Sequence, residues 1–154
     1  MKVADLVREN TLLILPQLRG RTRDDVLAEL AEFLAAHHNG LDARDVLRSL
    51  SERERLGSTA VEGGLAIPHA KVADAHKLVA CFGRSVGGVE FGAPDGLPSR
   101  FFFVLIAPAG APGEHLTALA RISRLFRDPR LRDRLDGARG AEEIYQVLAE
   151  GEGG

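Results

Sequence analysis

The sequence predicts an α/β fold, a single domain in which helices flank both faces of a mixed central sheet of about five strands. Apolar runs of strand length alternate along the chain with segments whose apolar residues recur at helical spacing. Residues 78–86 and 100–107 are apolar runs typical of central strands that are covered on both faces. We expect residues 1–150 to form the domain and residues 151–154 to form a flexible tail.

The first half of the chain contains one predicted strand and two predicted helices ahead of the central strands. Residues 11–15 form a short apolar run ended by a proline, which indicates an edge strand. Thr22 is placed to cap a helix that ends at His38, before an Asn-Gly pair. Asp42 opens a second helix, which carries Arg53 to its C-terminal end.

The second half of the chain is predicted to be mainly helical beyond the central strands. Residues 87–98 are rich in Gly and Pro and predict a loop between those two strands. An apolar stripe over residues 116–126 predicts a helix, and Asp128 and Pro129 are placed to cap and start another. A last helix carries the apolar residues of the segment 144–148, and no internal repeat is visible.

Charge and cysteine content exclude several classes of function. The chain has 20 Lys and Arg against 22 Asp and Glu, so no basic field favours nucleic acid. No apolar run approaches membrane-spanning length and no apolar signal core is present, so we expect a cytoplasmic protein without direct membrane insertion. Cys81 is the single cysteine, and the 5 histidines lack metal-site spacing. We therefore expect no disulfide, no metal and no cofactor.

The most informative motif lies within residues 53–71. Residues 65–67 indicate a short buried strand, and Pro68 must end it because proline lacks an amide donor. His69 follows at the strand end, where loops carry chemistry. If one ring nitrogen donates to a backbone carbonyl, the other can attack an electrophile such as phosphorus. His69 is therefore a candidate nucleophile, and the alternative is a half-buried loop histidine without chemistry.

Two other side chains suit an anion beside this imidazole. Arg53 presents a planar fork of donors that matches a phosphoryl group better than the point charge of a lysine. His115 lies at the apparent start of a helix, where free amides attract anions and disfavour a protonated histidine. One anion could contact all three residues. The alternatives are a solvated surface arginine and a capping or packing histidine.

These motifs resemble the phosphohistidine signature of the enzyme IIA domains of the bacterial sugar phosphotransferase system. Among these domains, the chain is most similar to the fructose/mannitol class and its nitrogen-related regulatory branch. The resemblance spans nearly the whole chain and rests on Gly57-Ser58-Thr59, Ala66-Ile67-Pro68-His69, the segment 101–108, His115-Leu116 and the segment 142–145.

The resemblance implies that His69 is phosphorylated and that Arg53 and His115 flank the phosphoryl group. We expect backbone amides and the hydroxyls of Ser58 and Thr59 to contribute further contacts. The resemblance also implies a histidine-containing phosphocarrier protein as the donor and a IIB-type domain or a regulatory target as the acceptor. Such a phosphoryl carrier needs no metal.

The chain departs from the family pattern at positions where relatives often have glycine, namely Ala60, Glu62 and Ala70. We expect Glu62 to matter most, because a carboxylate near the entrance would repel a phosphoryl group. Glu62 therefore bears on the efficiency of transfer or the choice of partner.

Two other functions remain open at this point. In the first, the chain is a regulatory binding module whose partner contacts depend on phosphorylation, without onward transfer. In the second, His69 and His115 form a hydrolase dyad, against which the missing Gly-x-Ser-x-Gly elbow counts.

Overall fold

The computed structural model of the protein describes residues 2–110 and 113–153. Within these residues, six helices accompany a five-stranded sheet of mixed orientation, which confirms the predicted α/β class. The helices are α1 (Val3–Leu6), α2 (Arg23–His37), α3 (Ala43–Leu56), α4 (Glu114–Leu125), α5 (Pro129–Gly137) and α6 (Ala141–Gly153). The strands are β1 (Ile14–Leu15), β2 (Leu65–Ala66), β3 (His69–Val72), β4 (Val79–Val89) and β5 (Ser99–Pro108).

The sheet is built on the antiparallel pair β4 and β5, with parallel strands on either side. Strand β1 forms one edge beside β4, and both β2 and β3 pair in parallel with β5. Leu65 pairs with Phe101 and His69 with Leu105, so the register continues unchanged from β2 into β3. The two short strands therefore form one edge that is interrupted at Ile67 and Pro68, where the proline has no amide to donate.

Helices cover both faces of the two central strands. All residues from Phe101 to Ala107 are buried, which requires cover on both faces because successive strand side chains point to opposite sides. Phe82 stacks on Phe126 at the end of α4, with ring centroids 6.2 Å apart. On the opposite face, a Cβ added at Gly83 would lie 2.9 Å from Leu30 of α2. Close packing against α2 therefore explains a glycine inside a central strand.

The predicted helix caps are confirmed. Thr22, Asp42 and Asp128 each accept a backbone N–H from the first turn of the following helix, at 3.1, 2.8 and 2.9 Å respectively. These bonds satisfy amides that have no partner inside the helix. Capping is a local interaction, which is why the sequence alone identifies where α2, α3 and α5 begin.

The structure differs from the predictions near the two ends of the chain. Residues 3–6 form α1, where no element was expected, and α6 extends through Gly153 into the segment expected to be a tail, whose flexibility stays a prediction. Gly154, the last residue of the expected tail, lies outside the described residues. The two ends are linked, because Oε1 of Glu152 accepts a hydrogen bond of 2.5 Å from the amide of Val3. Each terminal helix is thus held by the other.

Within the described part of the chain, none of the helices combines the length and apolar character needed to cross a membrane.

Arg84 joins three parts of the fold. This β4 side chain is only 7% exposed, and its Nε donates to the carbonyl of Pro16 at 2.9 Å. One terminal nitrogen donates to the carbonyls of Leu135 and Ala138, both at 2.6 Å. Arg84 therefore satisfies main-chain oxygens after β1 and at the C-terminal end of α5.

We predict that Arg84→Met lowers the free energy of unfolding by about 3 kcal/mol, because it leaves buried carbonyls without donors. Urea denaturation followed by circular dichroism measures this change. Arg130→Met is the matched control, since the Arg130 side chain is 91% exposed, and it should change stability by less than about 0.5 kcal/mol. Equal stability of the two variants would contradict the role given to Arg84.

Candidate functional site

The structure brings His69, Arg53 and His115 together around one open pocket, which we call the His69 pocket. Its volume is about 550 Å³. The end of α3, the start of β3 and the start of α4 form its walls. It is lined by Ser49, Glu52, Arg53, Leu56, His69, Ala70, Lys71 and His115.

His69 is the first residue of β3 and is half-buried, whereas the sequence indicated a loop position. Its Nδ1 lies 2.8 Å from the carbonyl oxygen of Ile67. Because a carbonyl oxygen can only accept, Nδ1 carries the proton, and Nε2 keeps its lone pair. The residue therefore has the one-sided hydrogen bonding that a nucleophilic imidazole needs.

The surroundings favour the neutral form of His69. Burial is the largest cause and lowers its pKa from 6.5, while the hydrogen bond to Ile67 acts in the opposite direction. The positive charges of Arg53 and His115 lower the pKa further, and Glu54 raises it. The net effect is a lowered pKa, so the imidazole is mainly neutral at pH 7 and its Nε2 is unprotonated.

Arg53 lies in the last turn of α3, as predicted. One terminal nitrogen of its guanidinium donates to the carbonyl of Gly57 at 2.8 Å. This bond holds the side chain across the end of the helix, where a cation also complements the helix dipole. A guanidinium has five N–H donors, so others remain for an anion in the His69 pocket.

His115 is the second residue of α4, close to the free amides of the helix start. Gly113, the residue before this helix, supplies no side-chain cap. The Nδ1 of His115 is buried and has no hydrogen-bond partner among residues 2–110 and 113–153. His115 nevertheless lines the pocket beside the start of α4, where amides without intrahelical partners attract anions.

The structure does not bring Ser58 and Thr59 into the His69 pocket. The hydroxyl of Ser58 donates to the carbonyl of Phe91 and accepts the amide of Ala60 at 3.0 Å. Thr59 directs its hydroxyl and its amide to the buried carboxylate of Glu54. Both hydroxyls therefore fix the turn after α3 instead of lining the wall of the pocket.

Glu62 also lies away from the pocket walls. It is exposed at the tip of a tight turn, in which the amide of Val61 donates to the carbonyl of Leu65 at 2.8 Å. Gly63 and Gly64 follow it with φ of 90° and 84°, a conformation that favours glycine. The carboxylate expected at the entrance is thus not among the residues that line the pocket.

Sequence reasoning missed Ser49, Glu52 and Lys71, although their spacing from Arg53 and His69 is recognisable. Ser49, Glu52, Arg53 and Leu56 lie at i, i+3, i+4 and i+7, so they share one face of α3. Lys71 lies two residues after His69, and in a strand this places both side chains on one face. Applying helix and strand periods to polar residues would have found this set.

No competing site of comparable chemistry stands out in the described parts of the chain. A larger groove of about 770 Å³ lies between residues 17–21 and 85–88, but no histidine, cysteine or carboxylate lines it. No group of three His, Cys, Asp or Glu side chains within residues 2–110 and 113–153 is placed to hold a metal ion. Burial raises the pKa of the Cys81 thiol, which makes it unreactive.

The His69 pocket is therefore suited to group transfer to an imidazole. A neutral ring with a free Nε2 faces a pocket that also holds a guanidinium and a lysine. Phosphoryl transfer needs little more than positioning of this kind and stabilisation of charge on the oxygens.

Comparison with known proteins gives the family. Residues 8–151 match the family described as "Phosphoenolpyruvate-dependent sugar phosphotransferase system, EIIA 2". A nitrogen regulatory protein of Bradyrhizobium diazoefficiens is 42% identical over 149 residues, which cover 97% of this chain and 95% of that protein. The crystal structure of the nitrogen regulatory protein IIA-Ntr of Neisseria meningitidis has a TM-score of 0.82 at 32% identity, covering 88% of this chain and 92% of that one.

A more distant structure shows the same fold. Enzyme IIA for mannitol of Escherichia coli, solved in complex with phosphorylated enzyme IIB, has a TM-score of 0.76 at 19% identity, covering 90% of this chain and 94% of that one. The matched family region extends over all of the elements that form the His69 pocket. The chain therefore belongs to the EIIA 2 family of the phosphoenolpyruvate-dependent sugar phosphotransferase system.

Proposed function

We propose that this chain carries its phosphoryl group on Nε2 of His69. Family membership makes the chain a phosphotransferase component that carries a phosphoryl group on a histidine, which confirms the sequence-based identification. The hydrogen bond from Nδ1 to the carbonyl of Ile67 is the observation that supports His69 as that histidine. It leaves Nε2 as the free nucleophilic nitrogen of a neutral ring.

In the proposed reaction, the Nε2 lone pair attacks the phosphorus of a phosphohistidine on a small histidine-containing donor protein. A bond forms between Nε2 and phosphorus, and the bond between phosphorus and the donor nitrogen breaks. The electron pair of that bond returns to the donor ring. Nδ1 of His69 keeps its proton, so the phosphorylated imidazole is cationic and its hydrogen bond to Ile67 becomes charge-assisted.

Arg53 and His115 are proposed to hold the oxygens of the phosphoryl group. Charge is spread over three equatorial oxygens in the transition state, and a guanidinium matches that distribution. The imidazole of His115, which lines the pocket, and the amides at the start of α4 supply further contacts. We add Lys71 to this set, because it lines the same pocket. Ser58 and Thr59 are instead proposed to support the turn after α3.

The acceptor is proposed to be a IIB-type domain or a regulatory target. Leu56 lines the pocket and is 86% exposed, and Leu116, which follows His115 in α4, is 61% exposed. Both provide apolar surface for a partner. The similarity to a nitrogen regulatory protein of Bradyrhizobium favours a regulatory role, and the family description favours sugar transport. We place both roles in the cytoplasm, where phosphoenolpyruvate is formed.

A separate experiment distinguishes the two roles. Purified phosphorylated and unphosphorylated chains are used to capture partners. Capture of a protein that removes the phosphoryl group supports transport. Capture that depends on phosphorylation but leaves the phosphoryl group in place supports regulation.

The first prediction tests the carrier residue. Incubation with phosphoenolpyruvate and a purified donor cascade should give one acid-labile, base-stable phosphate per chain, and mapping should place it on His69. His69→Ala should lose this label completely, because the proposed nucleophilic nitrogen is removed. His76→Ala, which removes an exposed histidine outside the pocket, should keep it. Full labelling of the His69→Ala chain would assign the phosphoryl group elsewhere.

The second prediction concerns Arg53. Arg53→Ala should slow phosphoryl uptake by roughly 1 to 3 kcal/mol of activation free energy, because charge-assisted bonds to the oxygens are lost. Arg55→Ala is the matched control, since this exposed arginine of the same helix turn does not line the pocket. Single-turnover kinetics measures both rates. Equal rates in the two variants would remove Arg53 from the site.

The third prediction concerns the titration of His69. Its midpoint, measured by NMR of chains with ¹⁵N-labelled histidine, should lie below 6.5, because burial lowers the pKa. The unfolded state then binds more protons than the folded state below pH 6.5, so His69 reduces stability progressively as the pH falls through that range. Arg53→Ala should raise the midpoint, and Arg55→Ala should leave it nearer the wild-type value. A wild-type midpoint above 6.5 would contradict the described environment.

A further inference from the structure

Glu54 is a buried carboxylate that lies beside the His69 pocket without lining it. Glu54 is only 4% exposed and lies in the last turn of α3, next to Arg53. It is not among the residues that line the pocket. It forms no salt bridge within the part of the chain that the structure describes. Both of its oxygens bind Thr59 instead, one accepting the amide at 3.1 Å and the other accepting the hydroxyl. A buried charge is costly, so such placement needs a compensating role.

A chain of hydrogen bonds leads from this carboxylate to the imidazole. Glu54 holds the amide and the hydroxyl of Thr59, and the carbonyl of Thr59 accepts the amide of Ile67 at 3.1 Å. The carbonyl of Ile67 in turn accepts the Nδ1 proton of His69 at 2.8 Å. Each residue in this series orients the next. The last acceptor is the carbonyl oxygen of Ile67, which determines that Nδ1 of His69 carries the proton and Nε2 does not.

The last step depends on this series because Ile67 itself makes no hydrogen bond to β5 among the described residues. Ile67 and Pro68 lie between β2 and β3, outside both strands. The peptide that follows Ile67 ends on a proline nitrogen, which has no proton to anchor it. The carbonyl of Pro68 accepts the amide of Leu105 at 3.0 Å, which holds the next residue to β5, and the bond from the Ile67 amide to Thr59 holds Ile67 itself.

We propose that Glu54 is a positioning residue, which fixes the tautomer and orientation of His69 through Thr59 and Ile67. The effect of Glu54 on phosphoryl transfer rests on the proposed function of His69, but its effect on the tautomer and orientation of the His69 ring does not. The carboxylate also acts through space, because its negative charge raises the pKa of His69 and so favours the cationic ring that phosphorylation creates. Such supporting contacts commonly change activity by one to two orders of magnitude.

Two substitutions at Glu54 separate positioning from charge. Glu54→Ala leaves the Thr59 amide and hydroxyl without acceptors, so the ¹⁵N shifts of His69 should report a mixture of both tautomers. Glu54→Gln can accept the amide and donate to the hydroxyl, so it should keep the single Nδ1–H tautomer. Phosphoryl uptake should fall at least about tenfold in Glu54→Ala and stay within about threefold of wild type in Glu54→Gln.

Asp42→Ala provides the matched control for stability. It removes the cap at the other end of the same helix and contacts none of the four residues in the series. It should destabilise α3 yet keep the single tautomer of His69 and the wild-type rate of uptake. A single Nδ1–H tautomer in folded Glu54→Ala, or a tautomer mixture in Asp42→Ala, would overturn the proposal.

Thr59→Val replaces Glu54→Ala if that variant does not fold. It removes the hydroxyl donor but keeps the amide bond to Glu54 and the side-chain shape, and it should also give a tautomer mixture. An unchanged tautomer in Thr59→Val would then reject the proposal. The NMR measurements use the unphosphorylated chain, so a wild-type protein that takes up no phosphoryl group would reject the function of His69 without changing this result.

Discussion

The hydrogen bond between Nδ1 of His69 and the carbonyl of Ile67 is the interaction on which the site depends. It decides which ring nitrogen carries the proton, and therefore which one faces the pocket unprotonated. The carbonyls of Gly64 and Pro68 accept the amides of Phe101 and Leu105 in β5. Ile67 is out of phase with these residues, so its carbonyl points away from β5 and can accept the proton of Nδ1. The position of Ile67 in the strand register is thus a functional part of the fold.

Rigid neighbours keep the three walls of the pocket in place. β3 is bonded to the buried central strand β5, and α3 reaches the site with both of its ends held by side chains. Asp42 caps its start, and Arg53 and Glu54 bind main-chain groups just beyond its end. The walls can therefore be preorganised while the pocket stays open to a partner protein, which is what a phosphoryl carrier requires.

The sequence predicted the features that arise from local interactions. The caps at Thr22, Asp42 and Asp128, and the two central strands, follow from short-range spacing and apolar runs. The motif around His69 identified the family, and the structure brings His69, Arg53 and His115 to one pocket.

Long-range contacts account for what the sequence did not predict. The hydroxyl of Ser58 donates to the carbonyl of Phe91, 33 residues away along the chain. No local sequence pattern could therefore show that this hydroxyl lies outside the pocket. Likewise α1 and the last turn of α6 are joined through a hydrogen bond that links Val3 with Glu152. That same bond places the start of α1 next to the end of α6. Polypeptide fused before α1 or after α6 would therefore leave from one patch of the surface. Short linkers would then suffice to insert the domain into another protein or to permute its sequence.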